Sequence, residues 1–108
     1  MIVKDVAGRA EYSAEKMGKV RLGAGAHLYA GLNCFLPGQE HRAHVHADQD
    51  KLYMVVAGRG EARLGDEVHS VEAGDLILAE AGVVHGLKNT ADVPFAVVVV
   101  FGPPPDRK

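Results

Sequence analysis

Glycines and other turn formers interrupt this chain at short intervals, and the segments between them are strand-sized. Pro37-Gly38, Gly58-Arg59-Gly60, Gly65-Asp66-Glu67 and Glu72-Ala73-Gly74-Asp75 are all turn signals. Between and around them lie runs rich in strand formers, at residues 27–36, 51–57, 61–64, 67–71, 76–79, 86–88 and 95–101. The last of these, FAVVVVF, is a continuous apolar run of strand length, which predicts burial on both faces. No segment carries a convincing helical period, residues 14–20 being the single short candidate. Turn signals spaced by roughly 8–12 residues predict an all-β sandwich or barrel. One cysteine and no tryptophan leave no Cys…Trp…Cys framework of the immunoglobulin kind. Periodicity takes the reading as far as a small all-β domain.

At 108 residues the chain is expected to form one domain over residues 1–108, with 102–108 (GPPPDRK) as an exposed tail that cannot continue a strand. A formal net charge of −2 argues against nucleic acid, which demands a basic face. No apolar run is long enough to span a membrane, and the opening MIVKDVAGRAEY lacks the apolar stretch of a signal peptide. With Cys34 alone no internal disulfide can form, so a reducing cytoplasm is the expected compartment. A core this small favours self-association, and FAVVVVF with the N-terminal strands is expected to offer apolar edges for it. A homodimer formed by sheet packing is therefore predicted.

The chemistry lies in the histidines. His44-Val45-His46 stands just before the strongest strand signal, and residues i and i+2 of an extended backbone share a face. Two imidazoles can thus converge on one point. His85, in the loop between two short strands, is the candidate third donor. Neutral imidazoles suit divalent transition metals, and three of them leave coordination positions open for water or substrate.

The spacing around these residues resembles the cupin superfamily. Its first motif is matched by Gly38, His44, His46 and Gly58, and its second by Gly74, Gly82, His85 and Asn89, all in register. Fifteen residues, 59–73, separate the two motifs, like the short spacer of compact microbial members. Motifs and spacer span residues 38–89, about half the chain. The resemblance implies a small antiparallel β-barrel or jelly roll with a site in its mouth. It also implies one divalent metal, from among Mn, Fe, Ni, Cu, Co and Zn, on His44, His46 and His85.

Two positions depart from the pattern. Glu80 replaces a turn proline, which should cost only loop stiffness. Lys51 occupies the usual acidic ligand position, where an ammonium cannot ligate and would repel a cation. Its neighbour Asp50 fits the shorter spacing after His46, yet alternation should turn Asp50 and Lys51 to opposite faces. The ligand set is therefore either the three histidines alone or the same three completed by Asp50, re-aimed by a bulge. Lys51 is a candidate to bind an anionic substrate or serve as an acid, or it simply reaches solvent. Tyr53 shares its face and is expected to line the interior, as a substrate contact or as core.

Other candidates have plainer readings. Gln39 and His41 are expected in a solvated loop, His27 and His69 on strand surfaces, Cys34 in the core and Asn89 in a turn. Along residues 27–36, one face is apolar (Leu28, Ala30, Leu32, Cys34, Leu36) and the other carries His27, Tyr29, Asn33 and Phe35. The sequence does not say which lines the barrel. Two function classes follow. One is a metal-dependent enzyme (a dioxygenase, isomerase or decarboxylase) acting on a small oxygenated or anionic molecule. The other is a non-catalytic module for small molecules or sugars, with its metal absent or structural.

Overall fold

A computed structural model of the chain describes residues 1–104. Within them the strands are β1 (Gly18–Ala24), β2 (Tyr29–Phe35), β3 (Glu40–His44), β4 (Asp50–Ala57), β5 (Arg59–Leu64), β6 (Glu67–Glu72), β7 (Leu76–Ala79), β8 (His85–Lys88) and β9 (Phe95–Gly102). Two antiparallel sheets result, one ordered β1-β2-β9-β4-β7 and the other β3-β8-β5-β6. No α-helix occurs among the described residues, only a 3-10 turn at Ala7–Arg9. The short helix candidate at 14–20 is thus a set of bends leading into β1. Seven strands lie where the turn signals place them. The other two, β1 and β3, are rich in glycine, charge and histidine, so propensity hides them.

FAVVVVF is not an edge, contrary to expectation. Its strand, β9, is central, paired with β2 on one side and β4 on the other. That position explains a continuous apolar run, since one face meets the barrel interior and the other is largely covered. Gly58 marks the step from β4 in one sheet to β5 in the other. Its φ is +74°, and a Cβ there would collide with the Pro94 carbonyl oxygen, so only glycine fits the corner.

Between the sheets lie Phe35, Tyr53, Val55, Ile77, Leu87, Phe95, Val97 and Val99, all buried. The two phenylalanines pack with ring centroids 5.4 Å apart. The undecided faces of the first expected strand now separate. Tyr29, Gly31, Asn33 and Phe35 look into the barrel. Leu32 and Cys34 look outward and are nevertheless buried, because Val6 and Ala10 of the N-terminal segment fold over them. Gln39 helps hold that segment: its Nε2 donates to the Ser13 carbonyl (2.7 Å) and its Oε1 accepts from Leu36 N–H (2.8 Å). Gln39 is therefore a structural latch. Of the expected tail, Pro103 is exposed and its carbonyl accepts from Gln49, while residues 105–108 lie outside the described part.

Candidate functional site

The barrel mouth is built around the β3–β8 pair. His44 stands opposite His85 and His41 opposite Leu87, so three steps along β3 match two along β8. That extra residue is a β-bulge. Strict alternation would turn His41 and His44 to opposite faces; the bulge turns both inward. The ring of His44 lies 4.2 Å from His85, 4.4 Å from His41 and 4.9 Å from His46, centroid to centroid. His46 and His85 are 6.0 Å apart. The structure thus gathers the three expected histidines and adds His41, a residue expected in a solvated loop. Only the bulge, which has no signature in residue type here, distinguishes the two readings.

The 80–84 loop is tied down so that His85 meets its partners. Ala81 N–H donates to Asp50 Oδ1 (2.8 Å), and Gly82 N–H donates to the His46 carbonyl (2.8 Å). Asp50 is exposed and spends its carboxylate on this loop. No register shift interrupts β4 at Asp50 or Lys51, so no bulge re-aims Asp50 inward. The reading in which Asp50 completes the ligand set is not the arrangement found, because regular alternation sends Lys51 in and Asp50 out.

Hydrogen bonding fixes the protons on two rings. His44 Nδ1 lies 2.8 Å from the Arg42 carbonyl and His85 Nδ1 lies 2.9 Å from the Val83 carbonyl. A carbonyl only accepts, so each Nδ1 carries the hydrogen and each Nε2 presents a lone pair. Both Nε2 atoms are buried without a hydrogen-bond partner. A buried acceptor left open, on a ring oriented by a backbone carbonyl, has the electronic form of a metal-ligating histidine. These donors fit a divalent transition metal. Among the described residues no three His, Cys, Asp or Glu side chains already close on one point. Joining the set on one ion therefore requires a ring to turn. His46 has that freedom, since it lies past the end of β3 and its side chain makes no hydrogen bond among the described residues.

Burial disfavours the charged form of His41, His46 and His85. Desolvation, followed by His44 and the two lysines Lys19 and Lys51, pushes His41 down to about 4. His46 and His85 are also lowered, burial being the first cause in each and Lys51 contributing in both. Lys51 is itself only 7% exposed and is lowered by burial and by Lys19. Its Nζ sits 5.0 Å from the centroid of the Phe101 ring. Tyr53 is buried beside His85, rings 6.1 Å apart, and burial raises its phenol above the usual range.

The remaining polar candidates are structural. Asn89 is fully buried; its Nδ2 donates to the Phe35 and Val93 carbonyls and its Oδ1 accepts from Ala91 N–H. His69 is exposed and contacts Glu67 across 3.1 Å, His27 is exposed, and Cys34 is core. No helix among the described residues is long and apolar enough to cross a membrane.

Comparison with known proteins agrees with this architecture. The family model described as the cupin domain matches residues 31–101. A crystal structure of TT1209 from Thermus thermophilus superposes with a TM-score of 0.91 at 34% identity, covering 97% of this chain and 100% of that one. A double-stranded β-helix protein from Klebsiella pneumoniae superposes with a TM-score of 0.86 at 27% identity, over 95% of this chain and 90% of the other. An uncharacterized protein of Aquifex aeolicus is 32% identical over 65 residues, 60% of this chain and 53% of the relative. The match spans about half the length of that relative.

Proposed function

The chain belongs to the cupin family, and from that premise we propose that it is a metal-dependent enzyme acting on a small oxygenated or anionic molecule. His44, His46 and His85 would hold one divalent transition metal in the barrel mouth. The observation that carries this reading is the pair of buried Nε2 lone pairs on His44 and His85, each with its Nδ1–H tied to a backbone carbonyl. Cavity walls do not ordinarily leave two adjacent acceptors unsatisfied, since each costs about 1–3 kcal/mol.

Bound there, the ion supplies Lewis acidity or a centre for activating O2, the chemistry of a dioxygenase, isomerase or decarboxylase. The protein's own side chains do the rest. Neutral histidines bring no negative charge, so the guest itself should be anionic or enolisable. Lys51, held below its ordinary value, is poised to pair with that charge or to give up a proton. Tyr53, with its phenol pushed up, stays protonated at neutral pH, so its hydroxyl keeps a hydrogen to donate while its oxygen can still accept.

Lys51 also favours a second reading, a binding module without metal, because it stands where an acidic ligand would otherwise compensate the cation. Elemental analysis of the purified untagged protein, beside a variant carrying His44→Ala and His46→Ala, separates the two. Close to one transition metal per chain in the natural protein and none in the variant supports the enzyme reading. Both free of metal, after Mn, Fe, Ni, Cu, Co and Zn have each been offered, would retire it in favour of the binding module.

A further inference from the structure

Next to the histidines lies a pocket of about 270 Å³ that shares only His41 with them; its walls include Lys19, Tyr29, Asn33, Lys51 and Phe101. Its chemistry is one-sided. Lys51 is only 7% exposed, yet forms no ion pair or hydrogen bond among the described residues. The two ion pairs found among them, Arg59–Asp92 and His69–Glu67, involve none of the pocket's walls. Lys19 pairs with Asn33 across the β1–β2 ladder and so faces the same space. Arg21, on the same face of β1, stands 5.9 Å from the centre of the Tyr29 ring. No carboxylate lines the pocket.

A buried ammonium without a counter-charge is costly, and its contact with the Phe101 ring returns only about 0.5–2 kcal/mol. Asn33, 6% exposed, adds a side-chain amide with no hydrogen bond among the described residues. The rings of Tyr29 and Phe101 are stacked at 4.8 Å and 30°, forming a flat apolar wall beside these donors. The volume lies just under the ~300–1,000 Å³ of pockets for drug-sized ligands.

We infer that this pocket is an anion subsite, which takes the carboxylate of a small flat acid between Lys51 and Asn33 and lays its body along Phe101 and Tyr29. Lys19 adds attraction at the rim. The inference rests on the proposed reading that a small molecule occupies the barrel mouth, and it names that molecule's class; it does not require the metal. A guest seated here reaches toward His41, and thereby toward the histidine cluster.

The test is titration of chelator-stripped protein with benzoate and, separately, with inorganic phosphate, followed by amide and side-chain NMR shifts. Benzoate is expected to bind in the low-millimolar range, roughly 0.4 kcal/mol per non-hydrogen atom and well inside the ceiling for so small a ligand, and to shift Asn33, Lys51 and Phe101. Lys51→Met should weaken it by about tenfold or more while keeping a folded spectrum. Lys19→Met, an exposed change with no folding risk, should weaken it by roughly two- to fivefold, less so at high salt. The His44→Ala/His46→Ala variant should keep benzoate binding, so a failed metal reading leaves this one standing, and the reverse holds too. Equal binding by Lys51→Met and the natural protein, no benzoate binding up to ~10 mM, or phosphate bound in preference to benzoate would each overturn the inference.

Discussion

His44 and His85 face each other across the β3–β8 ladder, rings 4.2 Å apart, and each donates its Nδ1 hydrogen to the carbonyl two residues before it. The pair is therefore held in one tautomer before any ligand arrives. In metal-free protein, side-chain nitrogen NMR should report both rings protonated at Nδ1 and bare at Nε2. Adding the metal should raise the melting temperature, at a hundredfold excess over Kd by the equivalent of about 2.7 kcal/mol. His44→Ala or His85→Ala alone should erase that rise. A ring found protonated at Nε2, or a rise that survives either substitution, would remove the basis for the site.

Acid should destabilise the metal-free protein through its buried histidines. His41 is held at about 4, and His46 and His85 are lowered as well. A base whose folded value lies below its unfolded value binds more protons when unfolded, so stability rises with pH across that window. For His41 the contribution is complete above about pH 6.5 and fades as pH falls towards 4. Allowing for solvent screening, the loss through His41 should be on the order of 1–2 kcal/mol, a melting-temperature drop of roughly 5–10 °C. Thermal melts of the natural protein and of His41→Gln from pH 7 to 4.5 check it; the variant should show a shallower slope.

Much of the fold was legible because turns and strand runs are local signals. The site was legible because its spacing brings together residues distant in the chain. Three things escaped for physical reasons. His41 points inward through a bulge, and no residue type announces one. Asp50 or Lys51 is a choice of strand phase, and in the structure the regular pairing of β4 with β9 from Asp50 to Val55 turns Lys51 inward. The inward face of β2 was hidden because its more apolar face, with Leu32 and Cys34, packs under the N-terminal segment, leaving the mixed face with Asn33 to the pocket. Hydrophobicity ranks faces by burial, and here both are buried.

Asn89 should matter for folding and not for ligands. Its side chain satisfies the Phe35 and Val93 carbonyls and Ala91 N–H in a fully buried position. Asn89→Ala strands those groups and leaves a small void, for an expected loss of about 2–4 kcal/mol. Denaturant melts measure this. Metal content per folded chain should stay unchanged, whereas a ligand-binding asparagine would lower it at equal stability.

The outer face of the five-stranded sheet is covered over one half only. Val6 and Ala10 shield Leu32, Cys34 and Ala96. Further along the same face, β4 sets Leu52 opposite Leu78 and Met54 opposite Leu76, with Val100 beside Leu52. Leu28, Leu76 and Leu78 are each more than half exposed there. The occupant that suits this face is a second copy, since a two-fold axis lying in the plane of contact sets the same leucines against themselves, sheet on sheet. A stable contact needs about 800 Å² from each partner. Light scattering in dilute solution should therefore give twice the 11.5 kDa chain mass. Leu78→Lys places like charges face to face across the axis and should yield a folded monomer with its metal content intact. A natural protein that is monomeric at micromolar concentration would mean that the leucines of β7 are exposed in solution and that sheet packing does not pair these chains.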